Sequence, residues 1–378
     1  MIPSLEENVL RGETVSMDDF KGIGETVFEK MVQYGDNIAM IDEETNEKVT
    51  FTTLRERAAT IALSLLARGV TPDDVVTLVE KTSREAFAIV LGCMFVGAKF
   101  NVLDAGPTAA VILPHQFPNL RPKVVFCHQC AEDLAQKVVQ ETDLDAEVIV
   151  FGGASNHGNK TYEDIFEEFG QVEEIEKFRP TVIENIYETS VCICCTSGST
   201  GNPKGVMVRH SGLHQVTLPL RNVDLEGKAI FTYSGMSWGS GIFMLIVGII
   251  HGAYRVYSRR PFNEDVLLKI MEDHKPGFML LSCFQISLLN AYLQEKPHLA
   301  EPVSGVEMLF AVGSKISPHQ FETTRTIWVL VNWWFGMVLT ECVSGTITLD
   351  CPEYRPNTIG FVCVNTELKV SIRQGETR

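Results

Sequence analysis

Two short apolar segments flank the stretch Cys195-Thr196-Ser197-Gly198-Ser199-Thr200-Gly201-Asn202-Pro203-Lys204-Gly205, which restricts what the rest of the chain can be. Upstream, Thr189-Ser190-Val191-Cys192-Ile193-Cys194 is rich in β-branched residues and cysteine, the pattern of a buried strand. Downstream, Val206-Met207-Val208 resumes strand character. The glycines let the chain turn sharply and bring backbone N–H groups close to an anion. The hydroxyls add donors, and Lys204 adds a mobile positive charge. Together they form a cradle for a polyphosphate. It is not the Walker loop, because G-x-x-x-x-G-K-[ST] is absent and Gly205 follows Lys204. A plain flexible turn is the poorer reading, since Pro203 and Lys204 have no place in a mere linker.

The remaining chain alternates strand and helix patterns. Residues 27–34 read as a helix, and 38–41 with 48–50 as a hairpin across a polar turn. Thr53-Leu54-Arg55-Glu56 has the form of a capping box, with Leu54, Ala58, Ile61 and Leu65 following at helical spacing. Strands are expected over 75–79, 100–103, 123–126 and 147–151, with a helix over 83–95 stopped by Gly97. After the cradle, strands at 229–233, 254–257, 278–282 and 308–312 alternate with helices at 213–220, 239–250, 264–273, 285–293 and 318–326. This alternation predicts an α/β protein with two mostly parallel sheets flanked by helices. Beyond residue 346, short strands at 347–349, 359–362 and 367–372 suggest an incomplete β-barrel piece at the C-terminus. The expected division is 1–187, a first α/β subdomain ending in an acidic connector; 188–345, a second carrying the phosphate loop; and 346–378, a truncated β subdomain. Residues 1–24 read as a polar surface lead-in, and the acid-dense 163–176 as a solvated helix.

Bulk properties exclude more than they identify. With 32 basic and 48 acidic residues the net charge is −16, which argues against a nucleic-acid surface. A polyphosphate must then be drawn by a local positive cradle against the overall field. The 10 cysteines lack the setting of a secreted disulfide framework, since the first residues carry Glu6, Glu7 and Arg11 and no apolar run. Cys127-His128-Gln129-Cys130 has C-x-x-C spacing, but with no second such pair a zinc site or redox motif is the weaker reading. The apolar run at 241–250 is too short to span a membrane. A reduced, intracellular protein is expected.

The motif T-S-G-S-T-G-x-P-K-G at 196–205 resembles the signature of the adenylate-forming (AMP-binding) superfamily of acyl-CoA synthetases, 4-coumarate-CoA ligases and insect luciferases. The segment 50–79 resembles the family's opening helix-and-strand unit, and segments at 97–98, 121–126, around Trp238, 312–316, 340–341 and 359–370 resemble later family segments in the expected order. The resemblance implies that Thr196, Ser197, Gly198, Ser199, Thr200, Gly201 and Lys204 grip the β- and γ-phosphates of ATP. It implies that Gly313 and Ser314 lie against adenine, and that Trp238 lines the acyl pocket unless it is an ordinary half-buried tryptophan. Thr340 would touch the α-phosphate, and Glu341 would hold Mg²⁺. Lys204 and Thr340 are the implied catalytic groups. The family's Tyr-Gly positions before Thr340-Glu341 fall on Met337-Val338, or else on Phe335-Gly336 with two extra residues. Trp328, Trp333, Trp334 and Phe335 crowd this region as core or as an altered pocket. The ribose-binding Asp and the mobile C-terminal domain with its catalytic Lys are not found before Arg378, so the chain reads as the large N-terminal domain.

The implied activity is an acid–thiol ligase: ATP-dependent conversion of a hydrophobic carboxylate to acyl-AMP, then transfer to CoA. A shortened ATP- or acyl-binding homologue without turnover is the alternative. A third class rests on Gly235-Met236-Ser237-Trp238-Gly239, which fits the G-x-S-x-G of a serine hydrolase nucleophile elbow. Cytoplasmic placement, or peroxisomal placement by resemblance alone, would suit the ligase.

Overall fold

Parallel strand pairing dominates the computed structural model, which describes residues 5–6, 9–196, 203–329, 331–338, 340–341, 345–349 and 360–369. The chain divides into a larger unit, 20–214 with 224–261, and a smaller one, 1–19 with 215–223 and 262–378.

In the larger unit a seven-stranded sheet runs in the order Lys204–Arg209, Ser190–Thr196, Lys99–Asp104, Val75–Glu80, Val124–His128, Glu147–Phe151, Lys160–Thr161. All neighbours are parallel except Ser190–Thr196 with Lys204–Arg209. This sheet runs across residue 188, where a subdomain boundary was expected, because Ser190–Thr196 pairs with Lys99–Asp104. The same unit holds a second run of strands, Ala229–Thr232, Tyr254–Tyr257, Ile38–Asp42 and Lys48–Thr50, parallel except for the expected hairpin at its end.

The helix Arg84–Val96 shows why these residues fold as they do. The Ser83 side chain accepts the Ala86 N–H, and Gly97 closes the helix in the left-handed region at φ 81°. Every residue from Ala86 to Val96 is buried. Phe87 and Phe95 are wholly inside, each contributing about 2 kcal/mol by area removed from water. At Gly92 this helix meets the helix Phe51–Ala67 so closely that a Cβ would lie 2.6 Å from Ile61 Cγ2. Phe51–Ala67 starts earlier than the Thr53 capping box implies. Its cap is Thr50, which accepts the Thr53 N–H at 3.1 Å, and the extra turn buries Phe51.

Local signals missed some elements. Ala109–Leu120 is helical although Pro114 and Pro118 lie inside it, because Leu113 and Phe117 pack into the core with Val79, Leu103, Val125 and Val150. The acidic connector forms two short helices, Tyr162–Phe169 and Val172–Lys177; Tyr162 and Ile165 are buried, so the first is not a fully solvated bridge.

In the smaller unit the strands Phe278–Ser282, Met308–Val312 and Asn332–Val338 are parallel neighbours in that order. Gly345–Leu349 and Phe361–Val362 extend this sheet antiparallel. Glu367–Lys369 pairs with Val9–Arg11, so the expected surface lead-in is partly strand. Among the described residues no closed barrel forms; the C-terminal strands prolong one sheet and pair with the N-terminus. Trp328, Trp333 and Trp334 are all buried, which makes them core. Trp328 Nε1 donates to Asn290 Oδ1 at 2.9 Å, and Asn290 Nδ2 donates to Thr324 Oγ1 at 2.7 Å.

Candidate active site

The phosphate-type loop joins two antiparallel strands of the larger unit. Thr196 stands opposite Lys204 in their register, so the two ends of the loop are held together by the sheet. Thr196 is half-buried and Lys204 is exposed. Ser197, Gly198, Ser199, Thr200 and Gly201 lie outside the described residues. The loop's base is fixed from two sides. Asn101 Nδ2 donates to the Ile193 carbonyl at 2.6 Å, and Gln116 Nε2 donates to the Pro203 carbonyl at 2.8 Å. The Pro-containing helix therefore supports the loop, a role not visible in its sequence. Cys192 and Cys194 share a face as period-two spacing requires, with their sulfurs 3.9 Å apart. The cysteines of the C-x-x-C pair part company, since Cys127 is buried and Cys130 exposed. Among the described residues no group of three or more His, Cys, Asp or Glu side chains could hold a metal.

The segment after Ala229–Thr232 carries Trp238, which is 69% exposed and caps the helix Gly239–His251. The Gly235–Gly239 pattern is not a nucleophile elbow. The strand ends at Thr232, and Ser237 is not among the residues with positive φ that such a strained strand-to-helix turn would need.

Two charged side chains that sequence reading passed over sit under this segment. Glu80, at the end of Val75–Glu80, is 3% exposed, and its Oε1 accepts the Met236 N–H at 2.7 Å. Burial pushes its carboxyl up to about 7, against the opposing pull of the Met236 amide and the Arg255 charge. Arg255, 2% exposed, donates to the Gly241 carbonyl at 2.9 Å and the Ser234 carbonyl at 3.0 Å. The sequence signal was slight: a Glu closing an apolar strand and an Arg within Tyr254–Tyr257.

In the smaller unit the remaining candidates gather at one sheet edge. Gly313 and Ser314 follow Met308–Val312, while Thr340 and Glu341 follow its parallel neighbour Asn332–Val338. Gly313 adopts φ 94°, which favours glycine, while a Cβ there would meet nothing closer than 3.9 Å; the constraint is conformational. Cys283 Sγ donates to the Ser314 carbonyl at 3.2 Å. Phe335 pairs with Ala311, so Phe335 and Gly336 lie inside the strand and Met337-Val338 close it. Thr340 is half-buried and Glu341 exposed. Glu341, just past a strand, offers an exposed carboxylate oxygen of the kind Mg²⁺ takes, since Mg²⁺ usually binds one or two carboxylates and fills its shell with waters and substrate phosphates.

Parallel sheets with candidate residues on the loops beyond their carboxyl ends define an α/β protein of the kind that binds ligands at those ends. The chain belongs to the AMP-binding enzyme family, whose model matches residues 27–377. It is 25% identical over 336 residues to gramicidin S synthase 2 of Brevibacillus brevis, covering 88% of this chain and 7% of that protein. It is 24% identical over 318 residues to luciferin 4-monooxygenase of Luciola mingrelica, covering 80% of this chain and 56% of that one. With 4-coumarate–CoA ligase 1 of Petroselinum crispum it shares 26% identity over 207 residues, covering 55% and 36% of the two chains. The chain thus spans just over half the length of the luciferin monooxygenase. Among solved structures, the luciferase-like enzyme of the nonluminescent Zophobas morio mealworm superposes with a TM-score of 0.82 at 22% identity, over 95% of this chain and 83% of that one. ATP-bound MatB from Rhodopseudomonas palustris gives 0.72 at 17% identity, over 90% and 64%. Among the described residues no helix is long and apolar enough to cross a membrane.

Proposed function

We propose that this protein activates a hydrophobic carboxylate, fatty or aromatic, with ATP and then transfers the acyl group to CoA. A carboxylate oxygen attacks the α-phosphorus of ATP, the bond to the bridging oxygen breaks, and pyrophosphate leaves. The CoA thiolate then attacks the acyl carbon and AMP departs. The observation that carries this reading is the register that sets Lys204 against Thr196 at the mouth of the glycine–serine loop, in a chain of the AMP-binding enzyme family. A relative that is a CoA ligase supports the thiol acceptor.

The chemistry brings two anions together. At about 4 Å and an effective dielectric of ~20, two unit charges repel by about 4 kcal/mol. The residues must offset this and align the attacking oxygen with the leaving group. In this reading Lys204 neutralises the β- and γ-phosphates and loop amides bind their oxygens. Gly313 and Ser314 receive adenine, Thr340 donates to the α-phosphate, and Trp238 borders the acyl chain. Glu341 would hold Mg²⁺, which supplies Lewis-acid neutralisation of phosphate charge.

Carboxylate-dependent exchange of labelled pyrophosphate into ATP tests the first half-reaction. A panel of fatty and aromatic acids should give exchange, and Lys204→Ala should lower its kcat/KM by roughly 10²–10³, the usual loss for one preorganised electrostatic contact. No exchange with any acid, or full exchange in Lys204→Ala, refutes the proposal.

A further inference from the structure

The buried charges beneath Trp238 carry an inference that rests on the acyl-pocket reading above and deepens it. Glu80 and Arg255 grip the 234–241 segment at three points: Ser234 and Gly241 at its ends through Arg255, and Met236 near its middle through Glu80. All three contacts are to backbone atoms, so they fix the path of the segment whatever its side chains. The segment is also folded tightly on itself. Trp238 N–H donates to the Gly235 carbonyl at 3.2 Å and Gly241 N–H to the Trp238 carbonyl at 2.9 Å. A Cβ on Gly241 would lie 1.9 Å from the Gly235 oxygen. Ser240 Oγ donates to Ser234 Oγ at 2.9 Å. Arg255 is itself held over the Phe87 ring, 4.8 Å from its centroid, within the buried stretch Ala86–Val96 of the helix Arg84–Val96. The latch therefore ties an exposed tryptophan to the core.

We propose that Glu80 and Arg255 are positioning residues, two buried side chains that each latch the backbone of the 234–241 segment, set its shape and so aim Trp238 at the acyl group of the carboxylate substrate. Neither touches the reacting atoms. Both are pre-set by the fold, since Glu80 ends a central strand of its sheet and Arg255 lies within a parallel pair of strands. Truncating either would remove the opposite charge that favours the ionised form of the other.

The latch has a second property. The groups acting on Glu80 are Arg255, the Met236 and Ser237 amides, and Asp104, its register partner on the neighbouring strand, whose charge pushes the carboxyl up. With the carboxyl held at about 7, a proton enters near neutrality. The Met236 contact then loses its charge assistance. The segment is held most firmly on the alkaline side.

The test uses Glu80→Gln, which keeps shape and an acceptor oxygen, together with Glu80→Ala. Trp238 emission is isolated by subtracting the Trp238→Phe protein and followed across pH. The wild-type signal should titrate near neutrality and that of Glu80→Gln should be flat; a titration that persists in Glu80→Gln overturns the proposal. In the exchange assay, Glu80→Ala should raise KM for the carboxylate tenfold or more and leave KM for ATP within twofold, with Glu80→Gln recovering most of the loss. Equal rises in both KM values overturn it. The emission arm needs no catalysis, so absence of exchange in the wild type would sink the ligase reading, and emission would still decide the latch.

Discussion

His210 makes the larger unit sensitive to acid, by an amount that can be worked out. It follows Lys204–Arg209, is wholly buried, and its Nδ1 accepts the Ile23 N–H at 3.1 Å. The proton of the neutral ring therefore sits on Nε2, which has no protein partner. Charging the ring would place a second proton on Nδ1, breaking the bond to Ile23 inside the core. Burial, and secondarily the charge of His214, hold its pKa at about 4, against 6.5 for an ordinary histidine. Between those values the unfolded chain binds more protons than the folded one, so stability rises with pH. The contribution is complete above 6.5 and is lost as pH falls toward 4. The shift corresponds to about 3 kcal/mol in full, most of which disappears between pH 7.5 and pH 4.5. Urea unfolding of the wild type and His210→Asn across this range isolates the effect, because Asn Oδ1 can accept from Ile23 without titrating. The wild type should lose about 2–3 kcal/mol more than the variant between the two pH values. Parallel stability curves for the two proteins would refute the assignment.

Two further expectations follow from packing. Gly92→Ala gains about 1 kcal/mol of helix propensity but presses a methyl group 2.6 Å from Ile61 Cγ2 and 3.0 Å from the Ala58 carbonyl. Overpacking of this kind costs about 1–3 kcal/mol, and Ile61 is β-branched and stiff, so a net loss near 1 kcal/mol should appear in urea melts; a stabilised variant would show that the helix pair has room for the methyl group. Asn290→Ala strips the buried Trp328 Nε1 of its acceptor and Thr324 of its donor, which should cost about 1–3 kcal/mol in the same assay. An unchanged midpoint would mean that the Trp328 indole finds another partner.

Signals confined to a few adjacent residues are legible in the sequence. Ser83 and Gly97 bracket Arg84-Glu85 and the apolar run Ala86–Val96, and the helix between them lies where that punctuation puts it. The strands either side of the glycine–serine loop were readable for the same reason, and their register brings Thr196 to Lys204. What stayed hidden was set by partners far along the chain. Nothing near Val9 announces a strand, because its partner Glu367–Lys369 lies at the other end of the sequence. Pro114 and Pro118 argue against a helix on any local scale, at about 3 kcal/mol for an interior proline. Only the buried faces of Leu113 and Phe117 outweigh that. Thr50 and Thr53 offer the same hydroxyl, and the choice between them as cap depends on whether Phe51 is buried.

The candidate site divides along the same line. Residues that would meet a ligand through a loop motif, such as Lys204 and Gly313, can be picked out from composition and turn chemistry. Residues that hold a loop in place cannot. Glu80 at a strand end reads as a solvated carboxylate, and Arg255, far along the chain, reads as an edge charge; only the fold buries them near one another. Burying both is costly, with an effective penalty of several kcal/mol per ion, and well-packed apolar side chains of similar volume often match or exceed the stability of such a pair. The pair is therefore poorly explained as a source of folding energy. Apolar side chains could not bind the carbonyls of Ser234 and Gly241 or the amide of Met236, however, and the 234–241 segment would then keep its path only through its own internal bonds. What the two charges supply is one conformation of a loop, and that is where their substitution should be felt first.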